Sequence, residues 1–343
     1  MVTGQEKYLK YTVGHTITVK MEENIFLKQN RLHLMKSRTD NEVSAEPSTS
    51  SFTIASKIRD YMMLVKFSLS FMVVFSAVVS YLMAPKVVEY NWKMIILLFT
   101  AGFLVTGSAN AVNQVVEKDT DALMKRTAKR PVASGRMSTN EGWTFAVIAG
   151  LAGVFILAYF FNLLSASIAA VSWFIYAFMY TPLKRKSAVS VLVGAVPGAL
   201  PCLIGWAAGQ DELSAGGWIL FAIQFFWQFP HFWAIAWIAH SDYSKAGFKL
   251  MPSGEGPTKY SAIQSVIYSL VLVPVGVLPY LANLSVIVSF WILLGANLFM
   301  VWLCLNLYRR MTVKAARSVM FGSYIYLAVV LLALLADKNV LTG

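Results

Sequence analysis

Charged residues are scarce in this sequence of 343 residues. Asp, Glu, Lys and Arg together make up 13% of the chain, whereas 57% of it is hydrophobic. A soluble domain normally carries about a quarter charged residues. The shortage therefore excludes an ordinary soluble globular domain and indicates a protein that crosses a membrane several times.

Cysteine is almost absent as well. Cys202 and Cys304 lie far apart, each inside an apolar run, so a disulfide framework or a cysteine zinc site is excluded and both are expected to be small core residues. The net charge of +12 does not indicate nucleic acid, because the cations after residue 57 lie in short connections between apolar runs. We therefore expect no nucleic-acid partner.

Residues 1–57 differ from the rest of the chain. They are polar and mixed in charge, and they end in the Ser/Thr-rich stretch "SAEPSTSSFT". We predict a disordered cytoplasmic extension there and one transmembrane domain over residues 58–343. Since a span needs about 20 mainly apolar residues, that domain is predicted to be an all-α bundle of nine transmembrane helices. The predicted spans are 62–84, 94–114, 142–162, 165–182, 187–208, 216–238, 261–282, 285–306 and 318–336.

The distribution of Lys and Arg predicts how the bundle is oriented. The connections after the second, fourth, sixth and eighth spans are rich in these residues, whereas those after the third, fifth and seventh contain none. Basic loops remain in the cytoplasm. The pattern predicts a cytoplasmic N-terminus, an external C-terminus and a bacterial cytoplasmic membrane, with the mitochondrial inner membrane as the alternative.

The densest cluster of charge is "NQVVEKDTDALMKRTAKRP" at 113–131, directly behind an apolar run. Asn113, Glu117 and Asp121 are spaced i, i+4, i+8 and so share one face of a helix. Oxygen ligands together with substrate phosphates suit Mg²⁺, and Arg126 and Arg130 follow as candidate phosphate contacts. From the residues alone, a solvated helix end whose acids pair with nearby lysines remains open.

Three further residues carry two interpretations each. Tyr180 and Lys184, spaced i, i+4, are typical of an interfacial Tyr and a snorkelling Lys, but both can also face one pocket. His231 lies within the sixth predicted span, between aromatic residues. A lone intramembrane His is either an interhelical hydrogen-bonding residue or a ligand.

Several motifs occur in an order that resembles a known family. After "NxxxExxxD" and "DxxMxRTxxRP" come "YTPLKRK" at 180–186, "GAVPGALPCLIGWAAG" at 194–209, "FWQFPHFWAIAW" at 226–237 and "DYSKAGFKLMP" at 242–252. Together they resemble the UbiA superfamily of intramembrane prenyltransferases, and within it the branch that farnesylates haem. The resemblance covers about residues 60 to 340. Glu117 stands where relatives often have Asp, and Ser241 where haem-branch relatives often have an additional acid.

The resemblance implies an activity and a set of site residues. The reaction would join farnesyl diphosphate to a vinyl group of haem B, add water and release diphosphate, giving haem O. Haem A synthase or terminal oxidase assembly proteins would be possible partners. Alternatives are a prenyltransferase for a quinone precursor or chlorophyllide, and a membrane transporter. The implied residues are Asn113, Glu117 and Asp121 for Mg²⁺, Asp242 as a further catalytic residue, Arg126, Arg130, Tyr180 and Lys184 for the diphosphate, and His231 for haem.

Overall fold

In lipid, an apolar segment satisfies its own backbone hydrogen bonds by becoming an α-helix. The structure, a computed structural model, describes residues 54–253 and 256–342, and every regular element within these ranges is helical. The helices are α1 Ile54–Leu64, α2 Phe67–Met83, α3 Trp92–Val116, α4 Lys118–Leu123, α5 Thr139–Phe160, α6 Leu163–Phe174, a π-helix Ile175–Tyr180, α7 Thr181–Leu183, α8 Ser190–Gln210, α9 Ala215–Ile238, α10 His240–Lys245, α11 Lys259–Val275, α12 Leu278–Leu281, α13 Ile287–Arg310 and α14 Val313–Thr342.

The prediction of an all-α polytopic membrane protein is confirmed. Within the described ranges, 8 helices are long and apolar enough to cross a membrane, and α1 with α2 forms a ninth span if this pair, bent by 54°, is counted as one. The predicted extension over residues 1–57 lies outside the described residues except for 54–57, which belong to α1. Its disorder stays a prediction.

The described residues from Lys57 onward form one unit, in which the long helices pack as two groups. In the first group α2 and α6 pack against α8, and α3 packs against α5 and α2. In the second group α11 and α14 pack against α9, and α13 packs against α11 and α14. The groups meet where α8 packs on α9 and where α14 contacts α2. Helices α8 and α9 therefore form the centre of the bundle, and α9 carries His231 there.

Two prolines interrupt the hydrogen bonds of α8, and side chains of neighbouring helices bond to carbonyls along the same stretch. Pro201 has no amide hydrogen to donate to the Pro197 carbonyl, which instead accepts from Ser172 Oγ at 3.3 Å. Gln228 Nε2, on α9, donates to the Ala195 carbonyl at 3.1 Å. These bonds satisfy backbone groups that lipid cannot, and they fix α8 against α6 and α9.

The break between α1 and α2 is held by polar side chains of α3. Gln114 Nε2 donates to the carbonyls of Met63 and Leu64 at 2.8 and 2.9 Å, and Asn110 Nδ2 donates to that of Val65 at 3.1 Å. Lys66 follows with φ 49°, a left-handed conformation that non-glycine residues rarely adopt. The predicted span 62–84 runs through this position without a break, whereas the structure has a bend there.

Candidate active site

Asn113, Glu117 and Asp121 occupy the junction of α3 and α4. Although α3 ends at Val116 and α4 begins at Lys118, the helical register continues across the junction. The Glu117 amide donates to the Asn113 carbonyl at 3.0 Å, and the Asp121 amide donates to the Glu117 carbonyl at 2.7 Å. All three side chains are buried, so the predicted common face exists and is shielded from water.

Each of these three side chains contacts a different basic residue. Lys66 Nζ donates to Asn113 Oδ1 at 3.0 Å, and Lys184 Nζ lies 2.5 Å from Glu117 Oε1. Arg130 Nη1 donates to both Asp121 carboxylate oxygens at 2.8 and 2.7 Å. We call these three contacts the paired face. Three cations from separate chain segments therefore meet three oxygen donors at one place.

Lys184 has the most enclosed environment of the three cations. Its Nζ lies 4.9 Å from the centroid of the Tyr180 ring and 5.3 Å from that of Phe248, so two aromatic faces flank the charge. Burial lowers the pKa of Lys184, while the neighbouring Glu117 carboxylate raises it. The contact with Glu117 thus favours the ammonium form in a setting that otherwise disfavours charge.

Asn113 and Tyr180 are linked through the π-helix. Asn113 Nδ2 donates to Thr181 Oγ1 at 3.4 Å, and Thr181 Oγ1 donates to the Tyr176 carbonyl at 2.9 Å. The π-helix brings the Tyr176 and Tyr180 rings to a centroid separation of 5.3 Å. Such π-helical turns are frequent at functional sites, and this one places the Tyr180 ring beside Lys184 of the paired face.

The connection after α9 joins the connection that follows α4. Arg126 Nη2 donates to Tyr243 Oη at 2.9 Å, and the Arg126 amide donates to Asp242 Oδ2 at 3.4 Å. Burial raises the pKa of Tyr243, which keeps the phenol protonated. The Lys249 amide donates to the Lys184 carbonyl at 2.8 Å. Asp242 therefore contacts the Arg126 backbone, and the two connections lie together at the paired face.

His231 lies in a separate aromatic environment. Its Nδ1 is 2.7 Å from Ser323 Oγ of α14, its ring stacks on Trp227 with centroids 5.1 Å apart, and the Tyr324 ring meets it edge-on at 4.8 Å. These contacts hold the imidazole between α9 and α14.

Comparison with known proteins gives the family. The model of the UbiA prenyltransferase family matches residues 73–331. The chain belongs to the UbiA prenyltransferase family. It is 41% identical over 285 residues to the protoheme IX farnesyltransferase of Cytophaga hutchinsonii, covering 83% of this chain and 99% of that one. It is 40% identical to the protoheme IX farnesyltransferase of Flavobacterium psychrophilum, covering 83% of this chain and 96% of that one.

Solved UbiA structures share the fold. A digeranylgeranylglyceryl phosphate synthase superposes with a TM-score of 0.69 at 19% identity, covering 82% of this chain and 99% of that one. A UbiA homolog from Archaeoglobus fulgidus bound to DMAPP and Mg²⁺ superposes with a TM-score of 0.63 at 16% identity, covering 81% and 99%. At these low identities, the comparison shows only that the helices of these proteins are arranged alike.

Sequence reasoning missed several residues of the site. Lys66 was visible as a lone cation in an apolar span, which is a functional signal in a membrane protein, but the spacing gave no partner for it. Tyr243 and Phe248 carried no such signal, because their contacts depend on how two connections meet. Ser323 is one of many serines in the spans, and only the packing of α14 on α9 brings it to His231.

Proposed function

We propose that this UbiA family member transfers the farnesyl group of farnesyl diphosphate to a vinyl group of haem B. The allylic C–O bond of farnesyl diphosphate breaks and diphosphate leaves. The freed allylic carbon bonds to the terminal vinyl carbon, and water adds to the other vinyl carbon with loss of a proton, which gives haem O. The names of the similar proteins support farnesyl diphosphate and haem B as substrates. The contacts of the paired face are the observation that supports the location of the active site.

The paired face has the charges that departure of diphosphate requires. Lys66, Arg130 and Lys184 supply positive charge within a buried site, where electrostatic stabilisation of a leaving anion is strong. Arg126, held by Tyr243, adds a guanidinium at the edge. These residues bind and orient the diphosphate, and Tyr180 places its ring against Lys184 on the same side.

Asn113, Glu117 and Asp121 fit Mg²⁺ as the metal. Among the residues that the structure describes, no three His, Cys, Asp or Glu side chains form a metal-binding group. Two carboxylates and one amide oxygen nevertheless suit an ion that completes its coordination with substrate phosphates and water. When bound, Mg²⁺ would neutralise charge on the diphosphate. Asp242 holds the neighbouring connection through the Arg126 amide.

The acceptor is assigned to the aromatic environment of His231. Trp227, Phe232 and Tyr324 surround the imidazole, and flat apolar surfaces of this kind suit a macrocycle. Burial of the paired face would restrict water around the allylic cation, which would protect the cation from premature capture. We assign to His231 the positioning of haem, which would bring its vinyl group to the allylic carbon that diphosphate leaves.

The orientation follows from the basic connections. We place the N-terminus and the paired face on the cytoplasmic side of a bacterial cytoplasmic membrane and the C-terminus outside; the mitochondrial inner membrane is the alternative. Haem A synthase or terminal oxidase assembly proteins are the proposed partners, since they would use the product.

An acceptor assay tests the proposed function. Membranes containing the protein are incubated with farnesyl diphosphate and Mg²⁺ and with haem B, a quinone precursor or chlorophyllide in turn, followed by pigment extraction and mass analysis. The expected product is haem O from haem B alone. Prenylation of another acceptor without haem O, by protein shown to be folded, would contradict the proposal.

Lys66→Met is expected to raise KM for farnesyl diphosphate about 10- to 100-fold, because a hydrogen bond to a charged group contributes about 1.5–3 kcal/mol. Lys66→Arg, which keeps the charge, is expected to retain most of the affinity. Lys118→Met is the control, since Lys118 is exposed beside Glu117. Steady-state kinetics at saturating haem B measure the effect, and an unchanged KM in Lys66→Met would remove Lys66 from the site.

A further inference from the structure

The contact between His231 and Ser323 has only one consistent arrangement of hydrogens. Ser323 Oγ lies 2.6 Å from the Met320 carbonyl and 2.7 Å from His231 Nδ1. Two oxygens at 2.6 Å need a hydrogen between them, and the hydroxyl has only one to donate. The Ser323 oxygen must therefore accept from His231, so Nδ1 carries a hydrogen.

The other ring nitrogen is consequently the one with a lone pair. In a neutral imidazole one nitrogen donates and the other accepts. Among the described residues, no hydrogen bond to His231 Nε2 is found, whereas the ring itself is held by Trp227 and Tyr324 on two sides. In the neutral ring, Nε2 is therefore an acceptor that is held in a fixed position and has no hydrogen-bond partner among the described residues.

The same serine also fixes the ring that stacks on His231. Trp227 Nε1 donates to the Ser323 carbonyl at 2.7 Å. Ser323 is completely buried. Its side chain bonds to the imidazole of His231, and its backbone carbonyl bonds to the indole of Trp227. A histidine that ligates a metal characteristically donates its second ring N–H to such an acceptor, which sets tautomer and orientation.

We propose that Ser323 is a positioning residue that holds the Nδ1–H tautomer of His231, so that Nε2 binds the haem iron of the acceptor as an axial ligand. This proposal rests on the proposed function, since haem B is the substrate there. Iron ligation would fix the macrocycle within the aromatic environment, and the rigid Trp227–His231 stack would set its distance from the paired face.

A haem titration tests the proposal without turnover. Purified protein is titrated with haem B alone, and the absorption spectrum reports nitrogen ligation of the iron. Ser323→Ala is expected to raise the Kd for haem about 10-fold, within the range seen when the partner of a metal-ligating histidine is removed. Its KM for farnesyl diphosphate is expected to stay unchanged. Ser323→Thr keeps the hydroxyl and should restore the affinity.

Ser269→Ala is the matched control. Ser269 is also completely buried, and its hydroxyl donates to the carbonyl three residues earlier, that of Val266, at 2.8 Å. This variant is expected to bind haem like the unchanged protein. An equal loss of haem affinity in Ser269→Ala and Ser323→Ala would show a general packing effect and overturn the positioning role.

Chemical rescue examines the hydrogen bond directly, including the case in which Ser323→Ala does not fold. His231→Ala is expected to lose the nitrogen-ligation spectrum, and added imidazole should restore it. 1-Methylimidazole has no N–H for Ser323, so restoring the spectrum should require about 10-fold more of it, equivalent to about 1.4 kcal/mol. Equal rescue by the two compounds would overturn the role of Ser323.

The proposed function and this inference fail in different ways. If the unchanged protein forms haem O but its haem spectrum equals that of His231→Ala, the ligation proposal alone is wrong. If the spectrum shows nitrogen ligation that depends on Ser323 but complete substrates yield no haem O, the ligation is supported and farnesyl transfer is wrong.

Discussion

Asp121→Asn is expected to lower kcat for farnesyl transfer by about 10²–10³-fold, the usual cost of removing one preorganised electrostatic contact. The Asp121 side chain is 0% exposed, and both of its oxygens accept from Arg130. Asn keeps the shape but removes the negative charge, so it weakens metal binding and leaves the Arg130 guanidinium without its counter-charge. Initial rates at saturating farnesyl diphosphate and haem B measure the effect.

Asp119→Asn is the matched control for this substitution. Asp119 is exposed on the same short helix, α4, and the chemical change is identical. Its kcat is expected to stay within twofold of that of the unchanged protein, since exposed charges interact weakly. If Asp121→Asn retained full activity, or if both variants lost activity equally, the assignment of the paired face would be wrong.

Lys184→Met is the second substitution with a large expected effect, because it acts on stability and catalysis together. Removing one member of a buried ion pair destabilises a protein by about 3–5 kcal/mol, since the remaining charge is buried without a partner. Here Glu117 would remain, next to the aromatic rings that flank Lys184. We expect a lower thermal unfolding temperature in detergent and loss of detectable turnover.

The double variant Lys184→Met, Glu117→Gln separates these two effects. Neutralising both partners is expected to recover most of the stability, because no unpaired charge is left, while activity remains absent. Lys186→Met, at an exposed position in the same connection, should change neither quantity. Recovery of turnover in the double variant would show that the pair is structural and does not bind diphosphate.

The spans and the paired face differ in how far the sequence could predict them. Hydrophobic runs predict the helices of a membrane bundle well, because lipid allows few other structures. The common face of Asn113, Glu117 and Asp121 follows from helical spacing, and it exists even though α3 ends at Val116. Spacing alone did not show which cation each side chain would contact.

The bend at Lys66 shows why that part could not be predicted. The break depends on Gln114 and Asn110, which bond to carbonyls about 50 residues away in sequence. A continuous apolar run gives no sign of such bonds. Lys66 reaches Asn113 because the chain turns there, and the hydrogen bond between Ser323 and His231 likewise depends on helices that meet only after folding.

Farnesyl transfer to haem is tested most directly by mass analysis of haem recovered from a reaction in water enriched in oxygen-18. Purified protein, haem B, farnesyl diphosphate and Mg²⁺ are combined, and the released diphosphate is quantified in parallel. We predict a haem that has gained one farnesyl group and one oxygen-18 hydroxyl, with one diphosphate per haem. Diphosphate release with unmodified haem, or a farnesylated haem without the label, would contradict the account.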